Sequence, residues 1–523
     1  MRLPPVSRRE FIATGGALAA AACLPSWADA LQSAPTGASR VEAADAALAR
    51  AAVLGASYAD IRVSRYRRES IATRERQVQN VQRSTSQGMG LRVLVNGAWG
   101  FAATNQVEPA AARRIAEQAV AIARANAVLV SRKVVLADAE RVTATWNNPI
   151  KRDPFEVSLE TKIAFLMKLN ETAMAVKGVS FVNSQVLFVD EQKYFASSEG
   201  SRITQRLVRT YPQFTVTAAD RASGDFQTRP VVDRAQLVGY EYVDDYPWLR
   251  DAEKAGYEVV EKLTAKPIVP GRYDIVVDPS QLFLAIHESV GHSTELDRAL
   301  GFEANSAGTS FIKPGDAGTL RFGNPIVNLV ADRTQPGGLA TVAYDDEGVK
   351  AERWHIVRDG MFVDWQTTRE LAPLVGQKRS HGCLHADDWS SVPFPRMPNV
   401  SLEPAATEVT LDDLFSGIKR GLFVEGRGVS SIDQQRYNFQ FGGGVIREIT
   451  NGKLGGIVKD AGYQSRTPDF WASCDGIGGR ALYKLWGTSA DGKGEPGQTN
   501  AVSHGCPPAR FRNITVLNTG AES

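Results

Sequence analysis

The stretch 285-AIHESVGHSTELD-297 decides how the chain is read. It sets His287 and His292 five positions apart, with Glu288 directly after the first histidine. Zinc peptidase helices carry H-E-x-x-H, with histidines four apart. An α-helix turns roughly 100° per residue, so residues four apart share a face, while residues five apart diverge by about 140°. Two local devices bring such imidazoles together: a π-bulge that adds one residue to a turn, or an end to the helix at Gly291, whose backbone lets His292 swing in. Either device costs stability, so a chain has little reason to keep it without a ligand. The alternative is two unrelated polar residues at a helix end. Only six histidines occur in the chain, and two of them flank a glutamate here. Spacing alone leaves both readings open.

Upstream, Asp278 can cap the helix, Pro279 suits its first position, and Gln281 completes a capping-box spacing. Leu282, Phe283, Ile286 and Val290 supply an apolar face, which puts His287 inside the helix. Around this element the chain divides in two. Residues 46–266 read as an N-terminal mixed α/β domain. Alternating segments at Tyr58–Arg67 and Ser70–Val81 suit half-buried strands, Asn96-Gly97 marks a hairpin, and helical periodicity falls over Pro109–Ala127, Ser158–Val176 and Asp251–Leu263. Residues 267–523 carry short strands and Gly/Pro/Asp turns, and read as a β-rich domain around the one metal-binding helix. The fold class expected is therefore α+β. The Gly-rich FQFGGGV (439–445) reads as a hairpin turn or as a path for a peptide backbone. The Arg-rich block Arg65–Arg76 reads as a solvated strand face rather than a phosphate site.

The 523 residues suffice for two or three domains, with 43% hydrophobic and 23% charged residues and a formal net charge of +2. That charge implies no nucleic-acid partner. Residues 1–30 read as a twin-arginine export signal: Ser7-Arg8-Arg9-Glu10-Phe11-Ile12, a short apolar run from Gly15 to Cys23, and a small-x-small cleavage site at Ala28-Asp29-Ala30. Residues 31–45 read as a linker running into a helix, Ala43–Leu54, that stops at Gly55. No other segment is long and apolar enough to span a membrane, so the expectation is a bacterial periplasmic protein. Of four cysteines, Cys23 leaves with the signal. Cys383, Cys474 and Cys506 remain, an odd number that cannot all pair within one chain.

HESVGH resembles the HExxxH motif of the TldD/PmbA family of metalloproteases, once called modulators of DNA gyrase. GASYADIRV (55–63), GMGLRVLVNGAWGFAAT (88–104), AYDDEG (343–348), IVRDGMFVDW (356–365), PFPRMPNV (393–400), ITNGKLGGIVKDA (449–461) and GKGEPGQ (492–498) resemble the same family in order. The HExxxH is the mark of its TldD-like, metal-bearing branch. The resemblance implies that His287 and His292 hold one Zn²⁺, which lowers the pKa of water to roughly 7, and that Glu288 moves protons as general base and acid. A third protein ligand is needed. The family places a Cys where this chain has Asp491. Asp491 and, fifteen residues downstream, Cys506 are the candidates, with His381, Cys383 and His385 behind them. Cys506 drops out if it forms a disulfide with Cys383. The resemblance further implies a hollow dimer, with a second copy or with a PmbA-like relative, and an unfolded peptide bound as an added strand. The function expected is hydrolysis of peptide bonds; the alternative is a non-catalytic peptide-binding partner subunit. A role at gyrase does not suit an exported chain.

Overall fold

The computed structural model describes residues 37–222 and 224–520. The export signal, its cleavage site and Cys23 lie outside the described residues, as does the first part of the expected linker. Residues 37–45 are not linker: they form the first half of helix α1 (Gly37–Val53), because Ala43, Ala44, Ala47 and Ala51 make one small-residue face. That face is buried in one core with helix α2 (Pro109–Asn126) and the adjoining strands.

Seven strands follow in the N-terminal half: β1 (Tyr58–Arg74), β2 (Gln77–Val95), β3 (Ala98–Thr104), β4 (Thr143–Asn147), β5 (Val179–Ser197), β6 (Arg202–Ala219) and β7 (Phe226–Val231). Their order is β3-β2-β1-β5-β6-β4, with β7 also on β6. The break expected between Arg67 and Ser70 does not exist. Glu69 is buried and bonded by Lys162, which holds β1 in the sheet through that point. The turn falls instead at Glu75, which takes a left-handed φ of 51°. The Asn96-Gly97 hairpin forms as expected, with both residues left-handed. Helix α3 (Leu159–Met174) is capped by Ser158, whose hydroxyl accepts from Thr161 N. A short helix α4 (Glu241–Asp245) leads to α5 (Trp248–Thr264), which starts earlier than periodicity suggested because the Trp248 indole is buried and donates to Tyr242 O.

The C-terminal half begins with β8 (Lys266–Pro267), β9 (Gly271–Val277) and helix α6 (Pro279–Ile286). Six short strands come next: β10 (Leu329–Asp332), β11 (Arg353–Arg358), β12 (Met361–Phe362), β13 (Leu384–His385), β14 (Phe394–Pro395) and β15 (Val400–Leu402). The remaining described strands, most of them longer, are β16 (Arg420–Ile432), β17 (Asn438–Thr450), β18 (Lys453–Lys459), β19 (Ala461–Arg466), β20 (Cys474–Ile477), β21 (Lys484–Lys493), β22 (Gln498–Cys506) and β23 (Ala509–Asn518). Strands β16, β9, β23, β19 and β17 pair in that order, and β17 pairs back with β16, so the five close on themselves. FQFGGGV is no turn. It lies within β17, where a Cβ on Gly443 would sit 2.8 Å from Val424 Cγ1.

The molecule is thus mixed α/β with a β-rich C-terminal region, as expected from the sequence. The AYDDEG segment joins the halves: Asp346 meets Lys193 of β5 at 2.8 Å and Glu347 meets Arg92 of β2 at 3.1 Å. Among the described residues no helix is long and apolar enough to cross a membrane.

Candidate metal centre

Helix α6 begins as the sequence suggested, with Asp278 accepting from Ser280 N at 2.9 Å. Gln281 takes no part in a capping box; its amide turns inward to the Tyr463 hydroxyl. After Ile286 the backbone widens into a π-helical turn over His287–Gly291, closed by His292 N bonding to His287 O. This extra residue in the turn realigns the imidazoles, whose ring centroids lie 4.6 Å apart. Gly291 is not a break. Its backbone is right-handed, with φ −53°, and its missing side chain makes room for Met397, whose Sδ would lie 2.3 Å from a Cβ.

Asp491 arrives from the β21–β22 ribbon. Before the bulge between Thr488 and Asp491, the even-numbered Trp486 and Thr488 pair with His504 and Val502 of β22; after it, the odd-numbered Asp491 and Lys493 pair with Asn500 and Gln498 and are buried. The bulge therefore turns Asp491 inward. Its Oδ1 lies 3.6 Å from His287 Nε2 and 3.4 Å from His292 Nε2. The three ligand atoms lie within 4.8 Å of one another, and all three residues are buried. A tetrahedral zinc site with bonds of about 2.0–2.1 Å separates its ligand atoms by about 3.3–3.4 Å, so this donor set fits that ion. Oδ2 of Asp491 is held by Arg396 Nη2 at 2.9 Å, and Arg396 also donates to the Asp491 carbonyl.

Polar groups back both imidazoles. His292 Nδ1 lies 2.9 Å from Glu295 Oε2, and Glu295 Oε1 accepts from Lys493 Nζ at 2.9 Å. His287 Nδ1 lies 2.8 Å from His504 Nε2. Glu288 has a partner of its own: its Oε2 pairs with Arg436 Nη1 at 2.7 Å. Burial works to raise the Glu288 carboxyl, but the two histidines and Arg436 outweigh it and hold it below the usual range. The same contest leaves Asp491 well below its usual value, with His292 and His287 overcoming burial. His287 is raised, since Asp491 outweighs burial. His292 is lowered, by burial first and then by Arg298.

Of the residues singled out in the sequence, His287, His292 and Asp491 come together and Glu288 adjoins them. Cys506 does not join them; its Sγ contacts Pro279 O at 3.9 Å. The disulfide with Cys383 is absent, for Cys383, Cys474 and Cys506 are all free and buried. His381 sits between Glu352 and Asp364, and His385 lies beside Asp346 at 3.6 Å. Sequence reading missed His504, Glu295, Arg396 and Arg436. His504 stood in view in SHGC (503–506), where attention went to the thiol. Glu295 also stood in view, three residues after His292 in the opening stretch, whereas Arg396 and Arg436 are brought in by long-range packing.

Three models of one family match the chain in order. PmbA/TldA metallopeptidase domain 1 matches residues 59–123, the central domain residues 152–266, and the C-terminal domain residues 270–518. The chain belongs to the PmbA/TldA metallopeptidase family. A Methanothermobacter thermautotrophicus protein named Metalloprotease is 28% identical over 464 residues, covering 88% of this chain and 96% of that protein. A Saccharolobus solfataricus protein named Zinc metalloprotease TldD homolog is 24% identical over 484 residues, covering 89% and 98%. In fold, the chain matches TldE from Thermococcus kodakarensis with a TM-score of 0.69 at 17% identity, over 91% of this chain and 100% of that one. It also matches a Thermotoga maritima protein described as a modulator of a DNA gyrase, with a TM-score of 0.72 at 16% identity, over 91% and 100%. The relatives' names support a metallopeptidase in general.

Proposed function

We propose that this member of the PmbA/TldA metallopeptidase family is a zinc-dependent peptidase that hydrolyses amide bonds in extended or unfolded peptides. The observation that supports it is the meeting of His287, His292 and Asp491 around one point, at separations that suit a tetrahedral ion, with Glu288 next in sequence to a ligand. When bound there, zinc supplies a Lewis acid that polarises an amide carbonyl and acidifies water. The chain's own residues do the rest. The imidazole Nε2 atoms of His287 and His292 and Asp491 Oδ1 would hold the ion. Arg396 fixes Asp491 through Oδ2. Glu288, paired with Arg436, would take a proton at its carboxylate from the attacking water and return it to the leaving nitrogen. No acyl-enzyme is involved.

The experiment is zinc stoichiometry together with peptide cleavage. Wild type is expected to bind one zinc per chain. His287→Ala loses it. Glu288→Gln keeps it but cleaves 10²–10⁴-fold more slowly, on the scale of general acid–base catalysis. Zinc bound without cleavage of any unfolded peptide leaves the non-catalytic, peptide-binding subunit as the reading.

Export by the twin-arginine route to the periplasm is part of the proposal and rests on residues 7–30. Processing after Ala30 and recovery in the periplasmic fraction test it. So is association with a second copy or a PmbA-like relative. It is supported by an open sheet edge: β3 pairs with β2 only over Met89–Val95, so among the described residues the outer side of Gln77–Thr85 has no strand beside it.

A further inference from the structure

We infer that His504 is a positioning residue for the metal centre, holding His287 in the one tautomer and ring orientation that leave Nε2 free for a divalent metal ion. The inference rests on the metal reading above and adds a residue to it. His504 lies on β22, is fully buried, and packs against Phe283 with ring centroids 6.5 Å apart. Its Nδ1 is 2.8 Å from Val400 O, a carbonyl that can only accept, so Nδ1 carries a proton. Its Nε2 is 2.8 Å from His287 Nδ1, and one of these two nitrogens must donate. If His504 Nε2 donated, His504 would be a buried cation, and no carboxylate bonds to it among the described residues. That arrangement is expensive. His504 is therefore neutral, its Nε2 accepts, and the His287 proton is on Nδ1. The His287 Nε2 lone pair then faces Asp491 and His292.

The chain of donors runs from His287 Nδ1–H through His504 to the Val400 carbonyl on β15. Neighbouring bonds fix that carbonyl's surroundings: Ser503 N donates to Asn399 Oδ1 at 3.1 Å and Gly505 N to Ser401 Oγ at 2.9 Å. The β21–β22 ribbon thus does two jobs. Through Asp491 it offers a ligand atom, and through His504 it orients another ligand. His292 has a different backing, the Glu295 carboxylate, so each imidazole has its own outer partner.

Two variants and one spectrum test this on the full chain. His504→Phe keeps the ring volume and loses both bonds. His504→Gln can still donate to Val400 and accept from His287. Zinc affinity, measured by competition with a chromophoric chelator, is expected to fall 10–100-fold in His504→Phe and to be largely restored in His504→Gln. Affinity unchanged in a folded His504→Phe, or as weak in His504→Gln as in His504→Phe, overturns the inference. Wild type labelled with ¹⁵N-histidine decides independently of any variant. His504 and His287 should both show protonated Nδ1; protonated Nε2 on His504 overturns the assignment. If wild type takes up no zinc yet shows these tautomers, the metal reading fails and the hydrogen-bond assignment stands.

Discussion

Arg396 Nη2 lies 2.9 Å from Asp491 Oδ2, on the carboxylate oxygen that the two imidazoles do not face. Both side chains are almost wholly buried. Asp491 therefore satisfies two positive neighbourhoods at once, a fixed guanidinium through Oδ2 and the candidate metal position through Oδ1.

Asp491→Ala should cost on both sides. Arg396 loses its carboxylate in a buried place, which is worth about 3–5 kcal/mol of stability, and the metal loses a ligand. Asp491→Cys should separate the two effects, because a thiolate is itself a zinc ligand. Denaturant unfolding of the metal-free proteins is expected to show both variants destabilised. Chelator competition is expected to show zinc retained by the Cys variant and lost by the Ala variant. Equal zinc affinity in Asp491→Ala and wild type would remove Asp491 from the site.

His381 gives a pH prediction away from the metal. Its ring stacks on Trp354 at 4.3 Å and lies between Glu352 and Asp364. Burial opposes its protonation, but the bonds to Asp364 and Glu352 prevail and raise its pKa to about 9. The folded value stands above the unfolded one of about 6.5. Its stabilising contribution is thus full below about pH 6.5 and is lost as pH rises through about 9. Glu352 is half exposed, so solvent screening reduces the effect to about 1–2 kcal/mol. Unfolding free energies at pH 6.5 and 9.5 should differ by that much more in wild type than in His381→Phe. Parallel pH profiles would show that the cluster contributes nothing.

How far the site could be read from sequence follows from how each residue reaches it. His287, Glu288 and His292 lie in one turn, and the five-residue spacing already demanded a bulge or a break. Asp491 was within reach only through a family position, because the β21 bulge that turns it inward leaves no periodic trace. His504 lay two residues from the rival candidate Cys506 and was passed over; every residue from Val502 to Cys506 is buried, so no alternation singles it out. Glu295 lies three residues after His292 and was passed over too, whereas Arg396 and Arg436 depend on contacts across the folded chain. In the fold, helices were legible from their apolar faces. The β1–β2 turn was not, because a buried Glu69–Lys162 pair keeps a charged stretch inside the sheet.

The thiols should be silent in the native protein. Burial pushes Cys383 and Cys474 up to about 12 and Cys506 well above the usual thiol range. A thiolate reagent is expected to label none of the three in folded, processed protein and all three after unfolding without reductant. Fewer than three on unfolding would reveal a disulfide.

The open edge of β2 makes the proposed association testable. The two-residue turn at Asn96-Gly97 fixes the alternation of β2 as far as a bulge at Gln79, so Val81, Arg83 and Thr85 direct their N–H and C=O groups to the side that lacks a strand among the described residues. Exposed edges are usually protected by Lys, Pro or a charge that blocks pairing. QVQNVQRST (77–85) has no Lys or Pro, and its one charge, Arg83, is paired with Glu69 on β1. An antiparallel two-fold centred on Val81 sets Val81 against its own copy and Arg83 opposite the bulge at Gln79, with no like charges opposed. Val81→Pro removes the central donor. Light scattering is expected to show wild type as a dimer and Val81→Pro as a monomer with the same zinc content. Val81→Cys should form a disulfide-linked dimer under mild oxidation, since the native thiols are buried. A wild type that is monomeric alone would leave a PmbA-like relative as the partner. A Val81→Pro protein that stays dimeric would place the interface elsewhere.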